Sequence, residues 1–590
     1  MSETDALPQG GAPAPPPIMT LARYMRPQAR RLAAITGLLT LGVGAQLAAP
    51  QMVRLFIDGA GAGAPPSSLL LIAAGFVGAA LAGQALAVAV AYLGADVSWR
   101  ATNALRRDLT HHVLRLDPAY HTRHTPGELV ERIEGDVTGL AEVLSTSLGR
   151  LAVSALLALG VLVLLAIEDP RIGLALGAYA LLYVVVHERG QRIALPHWRR
   201  FRAEQAAWSG YVEERLAGLR DIRALGAAEH VLHGFFRRLR PAFWSEMRAE
   251  VLTDVGWSIS KITYALGYVA ALAIGAGLYL RGDATIGSVY LVVSYLGLLR
   301  DPLSRIGSEV EEIQRARVSA ERVAAVLATP SAVPDTGRAP LPAGALGMEL
   351  RGVSFGYAAE HPILHDVSLA LAPERTLGLL GRTGSGKTTI SRLLTRFYEP
   401  QGGTVRVGER DIREVPLADL RRRVAVVTQE VEILRATLRD NLTLYRPGID
   451  DAALIAALDA LGLGEWFAGL PDGLDTRLGA DGRGLSAGEA QLVALARALL
   501  RDPGLVILDE ASSRIDPATA RLLDRALDRL LTGRTGIVIA HRLATVARCD
   551  EIIVLEEGRI VERGERVALA GDPATRFYRL LHAGIEEVLA

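Results

Sequence analysis

Eight consecutive residues, Gly381, Arg382, Thr383, Gly384, Ser385, Gly386, Lys387 and Thr388, fit the pattern G-x-x-x-x-G-K-[ST] directly after the apolar run 376–380. The spacing has a chemical reason. Glycines let successive backbone N–H groups curl around phosphate oxygens. A helix beginning near Lys387, with Thr389 in its first turn, points its positive end at them. The Lys387 ammonium would reach the outer phosphates, and the Thr388 hydroxyl would ligate magnesium. A second apolar run, 505–508, ends in Asp509 and Glu510. Asp509 is placed to hold magnesium and Glu510 to polarise an attacking water, the two things phosphoryl transfer needs. A third run, 537–540, ends in His541, which could sense the terminal phosphate. A chance Gly-rich turn would lack the strand before and the helix after, and an acidic pair alone would be a weak signal.

The elements that position these groups alternate apolar strand-like runs with helical ones, which predicts an α/β domain over residues 347–590. It follows a Pro/Gly/Ala-rich linker, 329–346. The half before the linker differs. Half of the 590 residues are hydrophobic, only 5% are aromatic, and mean hydropathy is +0.25. That is the Ala/Leu/Val/Gly mixture of packed membrane helices. Apolar runs of about 20 residues read as spanning helices. Six are expected, over 32–57, 69–93, 151–167, 172–186, 258–280 and 286–299, within a transmembrane domain at 19–328. Arginines crowd the two long connections and the stretch before the first run, while 58–68 has none and the other two short connections carry only Arg171 and Arg281. By the positive-inside rule both termini and the long connections are expected to face the cytoplasm, as in a multi-pass membrane protein. Residues 1–18 lack the basic start and apolar core of a signal peptide and read as a disordered cytoplasmic tail. The formal net charge of zero argues against nucleic acid as a partner. Cys549 is alone, so no intrachain disulfide can form.

Polar residues in the first half are weighed against plain structural roles. Lys261, one of two lysines in the chain, lies near the inner end of the fifth run and reads as snorkelling to the interface. Gln46 and Gln84 are expected to bond between helices. His111, His112, His121 and His124 read as a solvated helix surface, because no further ligand is evident beside them. Both long connections have helical periodicity, with turning points at Pro118, Pro126 and Gly127 and at Gly218. Short helices at these tips would suit contact with a second domain.

With these motifs in hand, the chain resembles the ATP-binding cassette transporters of the exporter type, over nearly everything after the tail. The resemblance implies ATP and Mg2+ as ligands and two chains clamping two ATP molecules between them. It implies that Tyr357, in the stretch 355–357, stacks on adenine. Gln429, in 427–429, would link magnesium to the transmembrane domain. Ser486, Gly488 and Glu489 occupy the signature that serves the partner's ATP, Asp516 lies in the loop after the catalytic Glu510, and His541 is the switch histidine. The cytoplasmic tips would be coupling helices.

The signature, usually LSGGQ in the family, reads LSAGE here, and Ala480 stands where the family carries a glutamate. Ser486 and Glu489 also form an S-x-x-E capping box. Glu489 would repel the partner's phosphate if it faced it, and would matter less if folded back. The chain's own ATP set is intact, so the departures fall on the partner-facing side. That pattern resembles one half of a heterodimeric exporter. The expected function is ATP-driven export of a hydrophobic or amphipathic compound: a small molecule, lipid or peptide. Rival readings are import by the same fold, told apart by transport direction in vesicles, and an ATP-gated channel or regulatory membrane subunit, which cargo-stimulated ATPase would count against.

Overall fold

The computed structural model describes residues 22–358, 360–479, 484–509, 517–539 and 543–583. Contacts divide the chain into two compact units. The first holds residues up to Leu114 together with Thr125–Thr329; the second holds Arg115–His124 together with Pro330–Ala590.

The first unit is helical: α1 (Ala29–Gly61), α2 (Pro66–Arg115), α4 (Pro126–Glu168), α5 (Pro170–Ala217), α6 (Leu219–Ala224), α7 (Ala228–Leu280) and α8 (Ile286–Ala328). Between α2 and α4 runs α3 (Pro118–Arg123), which belongs to the second unit. Hydrocarbon offers no partner for a bare N–H or C=O, so a spanning segment closes its own hydrogen bonds as a helix. Five helices are long and apolar enough to cross a membrane: α1 extended back to Ala22, α2, α4, α5 and α7. The sixth expected span lies on α8. This helix is continuous over 43 residues, but its apolar stretch stops at Arg300 and Asp301, about 21 Å from its start. By length and composition the count among the described residues is therefore five.

α5 and α7 approach closely where Gly190 meets Gly256: a Cβ on Gly190 would lie 3.1 Å from the Gly256 Cα. Small residues permit this backbone proximity, and dispersion then holds the pair. The apolar centre of the unit joins α4, α5, α7 and α8 through Val161, Leu165, Tyr183, Ala271, Leu291 and Tyr295. Gln46 and Gln84 do not bridge helices as expected: neither makes a hydrogen bond among the described residues, and Gln84 is on the exposed side of α2.

Arg54 lies inside the first span, a membrane charge that the hydropathy of the run conceals. Its guanidinium donates to Glu168 at 2.5 Å and lies 3.8 Å from Asp58. Glu168 also accepts from the Ser288 hydroxyl at 2.9 Å, and Asp58 accepts from Thr285 Oγ1 and Gly287 N at 2.9 Å each. One polar cluster thus ties α1, α4 and the start of α8 at the end that carries the short connections.

The second unit contains two sheets. A four-stranded antiparallel sheet has the order β2-β1-β4-β5: β1 (Met348–Phe355), β2 (Leu364–Leu371), β4 (Gly402–Val407) and β5 (Arg410–Asp411). A six-stranded sheet has the order β10-β9-β3-β8-β7-β6: β3 (Thr376–Leu380), β6 (Val424–Val427), β7 (Leu505–Asp509), β8 (Thr535–Ile539), β9 (Glu551–Glu556) and β10 (Arg559–Glu565). Strands β6, β7, β8, β3 and β9 run parallel, and only β10 is antiparallel. β3 and β8 are buried along their whole length, as parallel strands covered on both faces must be.

Residues 329–346 form no helix or strand, yet they are fastened down. The buried Arg396 donates to Pro334 O at 3.0 Å, and Arg338 N and Ala339 N donate to Glu414 O. The tip helix α3 joins the same unit. Asp117 caps it, accepting from Tyr120 N at 3.0 Å, and its other oxygen accepts from Ala332 N at 2.7 Å. Of the histidines on the first long connection, His112 Nε2 lies 3.1 Å from Thr329 O, and His124 stacks on Tyr120. Among the described residues no group of three or more His, Cys, Asp or Glu could hold a metal ion.

Arg54→Gln is expected to leave the half-buried Glu168 carboxylate without its cation, a loss of about 1–3 kcal/mol. The thermal unfolding midpoint of the purified protein should fall, and adding Glu168→Gln should recover part of it. An unchanged midpoint would show that the cluster carries no stability.

Candidate functional site

The phosphate-loop residues follow β3 directly. Gly381, Gly384 and Gly386 have φ of 150°, 85° and 105°, which L side chains rarely adopt. A side chain on Gly381 would also collide with the Leu555 carbonyl oxygen and Ser385 Oγ. The loop opens into α9 (Lys387–Leu394), with Gly386 as the residue before its first turn. The first N–H groups of a helix lack intrahelical partners, and here they belong to Lys387, Thr388 and Thr389. The Ser385 hydroxyl is buried and makes no hydrogen bond among the described residues. Arg382 and Thr383 are exposed on the loop.

Lys387 is 6% exposed and curls back over the loop, donating to Gly381 O at 2.5 Å and Arg382 O at 2.9 Å. Burial lowers its pKa, and the nearby Asp509 carboxylate opposes that shift. Thr388 Oγ1 lies 3.5 Å from Asp509 Oδ2 at the end of β7. β8 runs between β3 and β7, so the loop and the acidic strand end sit two strands apart on one edge of the sheet. The hydroxyl and carboxylate together make a hard-oxygen donor set of the kind that suits magnesium. Gln429 lies just past β6 and is exposed.

Tyr357 follows β1. Its ring meets Phe355 and Tyr398 edge-on at 5.1 Å each. Its hydroxyl accepts from Arg392 Nη1 at 2.8 Å and lies 3.3 Å from Thr389 Oγ1. With 44% of the residue exposed, the ring keeps open surface beside the phosphate loop.

Ser486 is the N-cap of α10 (Ala487–Leu499), and Gly488 is buried in its first turn. The capping box is complete: Glu489 N donates to Ser486 Oγ at 3.2 Å and Ser486 N donates to Glu489 Oε2 at 2.7 Å. The other Glu489 oxygen accepts from Trp466 Nε1 at 3.1 Å. Of the two orientations open from sequence, Glu489 takes the folded-back one. Trp466 had no motif to announce it, because it reaches Glu489 across 23 residues of chain. Arg497 was equally unmarked. It donates to Asn441 O at 2.6 Å and Glu432 O at 3.0 Å, fixing α10 to the helix Leu438–Thr443. Ala480, Glu510, Asp516 and His541 lie outside the described residues.

A helical membrane unit, a phosphate loop on the central strand of a parallel sheet and a capped signature helix in one chain define an ATP-hydrolysing membrane transporter. The chain belongs to the ABC transporter family. The family's model for the ABC transporter transmembrane region matches residues 32–303, and its model for the ABC transporter domain matches 364–513. The chain is 30% identical over 543 residues to the ATP-dependent lipid A-core flippase of Chromobacterium violaceum, covering 91% of this chain and 92% of that one. It is 31% identical over 469 residues to the fatty acid ABC transporter ATP-binding/permease protein of Mycobacterium bovis, covering 79% and 74%. Its fold matches the solved structure of a bacterial Atm1-family ABC exporter with ATP bound, with a TM-score of 0.79 at 24% identity over 94% of this chain and 98% of the other.

Glu489→Ala should remove one arm of the capping box and the Trp466 contact, costing about 1 kcal/mol at the helix start. Glu489→Gln keeps an acceptor oxygen and should hold stability near wild type. Thermal unfolding of the two variants checks this, and equal losses in both would assign the effect to charge instead of the cap.

Proposed function

We propose that this chain is one half of a dimeric exporter of the bacterial plasma membrane, with its termini and ATPase unit in the cytoplasm, and that it couples ATP hydrolysis to outward movement of a hydrophobic or amphipathic compound. The observation that carries the reading is the joint presence of long apolar helices and a built phosphate loop with Thr388 beside Asp509. The names of the relatives, a lipid A-core flippase and a fatty acid transporter, support an amphipathic cargo.

In this reading Lys387 and the N–H groups of residues 381–389 hold the outer phosphates, with Tyr357 against the adenine. Thr388, Asp509 and Gln429 would hold magnesium, which supplies charge neutralisation when bound. Glu510 orients the water that attacks the terminal phosphorus. His541 contacts the departing phosphate. Ser486 and Gly488 present the start of α10 to the ATP of the partner subunit, and Asp516 belongs to the loop between the two sites.

Glu510→Gln should keep ATP binding and lower turnover about 100-fold or more, because an amide orients water poorly. Lys387→Ala should weaken ATP binding itself, about 10- to 100-fold, through loss of a charge-assisted contact. Nucleotide titration and steady-state ATPase of the purified complex separate the two. Near-normal turnover in Glu510→Gln would remove it from the mechanism.

The LSAGE signature favours a partner that is a different half. Even folded back, Glu489 keeps a carboxylate in the first turn of α10, where the family usually has a neutral amide. Confining that charge to one of two ATP sites spares the site built on Lys387 and Glu510, which a partner with LSGGQ would complete. Expressed alone, the chain should form a poorly stable or weakly active species that co-expression of a homologous half rescues. A stable homodimer with cargo-stimulated ATPase would defeat the heterodimer.

A further inference from the structure

Lys261 does not end at a featureless interface. A cavity of about 240 Å³ opens among α5, α7 and α8, and its lining includes Trp257, Lys261, Tyr264, Arg300, Asp301 and Arg305. Asp301 is 3.9 Å from Arg305. Lys261 makes no hydrogen bond or ion pair among the described residues. Arg300 meets only a ring face, that of Tyr264, at 5.2 Å, and has no carboxylate partner there. Lys261 and Arg300 therefore line the cavity without a carboxylate partner among the described residues.

The depth matters. Lys261 lies 19 residues before the end of α7 at Leu280, and Arg300 lies 14 residues after the start of α8 at Ile286. At 1.5 Å per residue these are about 28 Å and 21 Å from the ends that carry the short connections. In a hydrocarbon core about 30 Å thick, both fall in the leaflet on the side of the long connections. An uncompensated charge at such depth is costly. Within the first span, by contrast, Arg54 has the Glu168 carboxylate beside it. Lys261 and Arg300 have no such carboxylate among the described residues. Trp257 and Tyr264 add amphipathic walls, suited to the boundary between a polar head and an apolar tail. The volume is below the roughly 300–1,000 Å³ of pockets that enclose a whole drug-sized ligand. It suits a headgroup whose tail stays outside.

We propose that this cavity receives the anionic headgroup, a phosphate or carboxylate, of an amphipath taken from the cytoplasmic leaflet, with Lys261 and Arg300 supplying the counter-charge. This rests on the export reading and names its cargo class. The test uses the full chain, with any partner it requires, in phosphatidylcholine nanodiscs without nucleotide. Dodecyl phosphate, dodecyltrimethylammonium and inorganic phosphate are titrated separately while tryptophan fluorescence is read. Dodecyl phosphate should give a saturable change. Lys261→Met and Arg300→Met should each raise its Kd about 5- to 10-fold, the size of one partly exposed charge pair. Lys261→Arg should retain binding and serves as the folding control. Equal saturation by dodecyltrimethylammonium, the same response to inorganic phosphate alone, or an unchanged Kd in both Met variants would overturn the proposal. Because binding is read without ATP, a failure to export would sink the proposed function and leave this result standing.

Discussion

Inside a bilayer a backbone polar group has no water to fall back on, and the rest of the membrane unit follows from that. The chain answers with helices of 33 to 53 residues, and it carries Pro50, Pro196, Pro241 and Pro302 within them. Because lipid tails are as apolar as leucine, burial alone cannot hold these helices together. Two other interactions do so here. Gly190 and Gly256 let α5 and α7 touch backbone to backbone. Arg54, Glu168, Asp58 and the first residues of α8 satisfy one another at the opposite end of the long connections. The same constraint makes Lys261 and Arg300 conspicuous, since neither has a carboxylate partner among the described residues.

In the ATPase unit the ruling interaction is the burial of β3 between β8 and β9, which places a positively charged loop on a rigid support. Left-handed glycines turn the loop, and α9 begins at its end. Lys387, largely buried, bridges the carbonyls of Gly381 and Arg382 beside Asp509. The segments around the sheet are pinned by arginines that donate to backbone oxygens. Arg396 reaches Pro334 and Ile412, Arg423 reaches Asp502 and Pro342, and Arg497 reaches Asn441 and Glu432. Guanidinium forks suit this work because one side chain can satisfy carbonyls from several segments at once.

The tip helix α3 and the linker show how the second unit gathers pieces from distant sequence. Asp117 spends one oxygen on the cap of α3 and the other on Ala332 N, 215 residues away. A carboxylate with two acceptors joins a helix start to a stretch that forms no regular structure of its own.

What the sequence by itself determined is local. The phosphate loop needs three glycines, a lysine and a threonine within eight residues, the capping box needs two residues three apart, and a membrane span needs a run of apolar side chains. Each is a short-range physical requirement, so each is written contiguously. The orientation of Glu489, the pairing of Arg54 and the surroundings of Lys261 were decided by tertiary structure. Glu489 meets Trp466 at a separation of 23 residues and Arg54 meets Glu168 at 114, while Lys261 shares its cavity with Arg300 of the next helix. The apolar stretch of α8 shows the limit from the other side: a helix can be continuous while the run that would reveal it as a span is cut short by Arg300 and Asp301. Periodicity and composition report what a residue is; which charge it meets depends on how the helices pack.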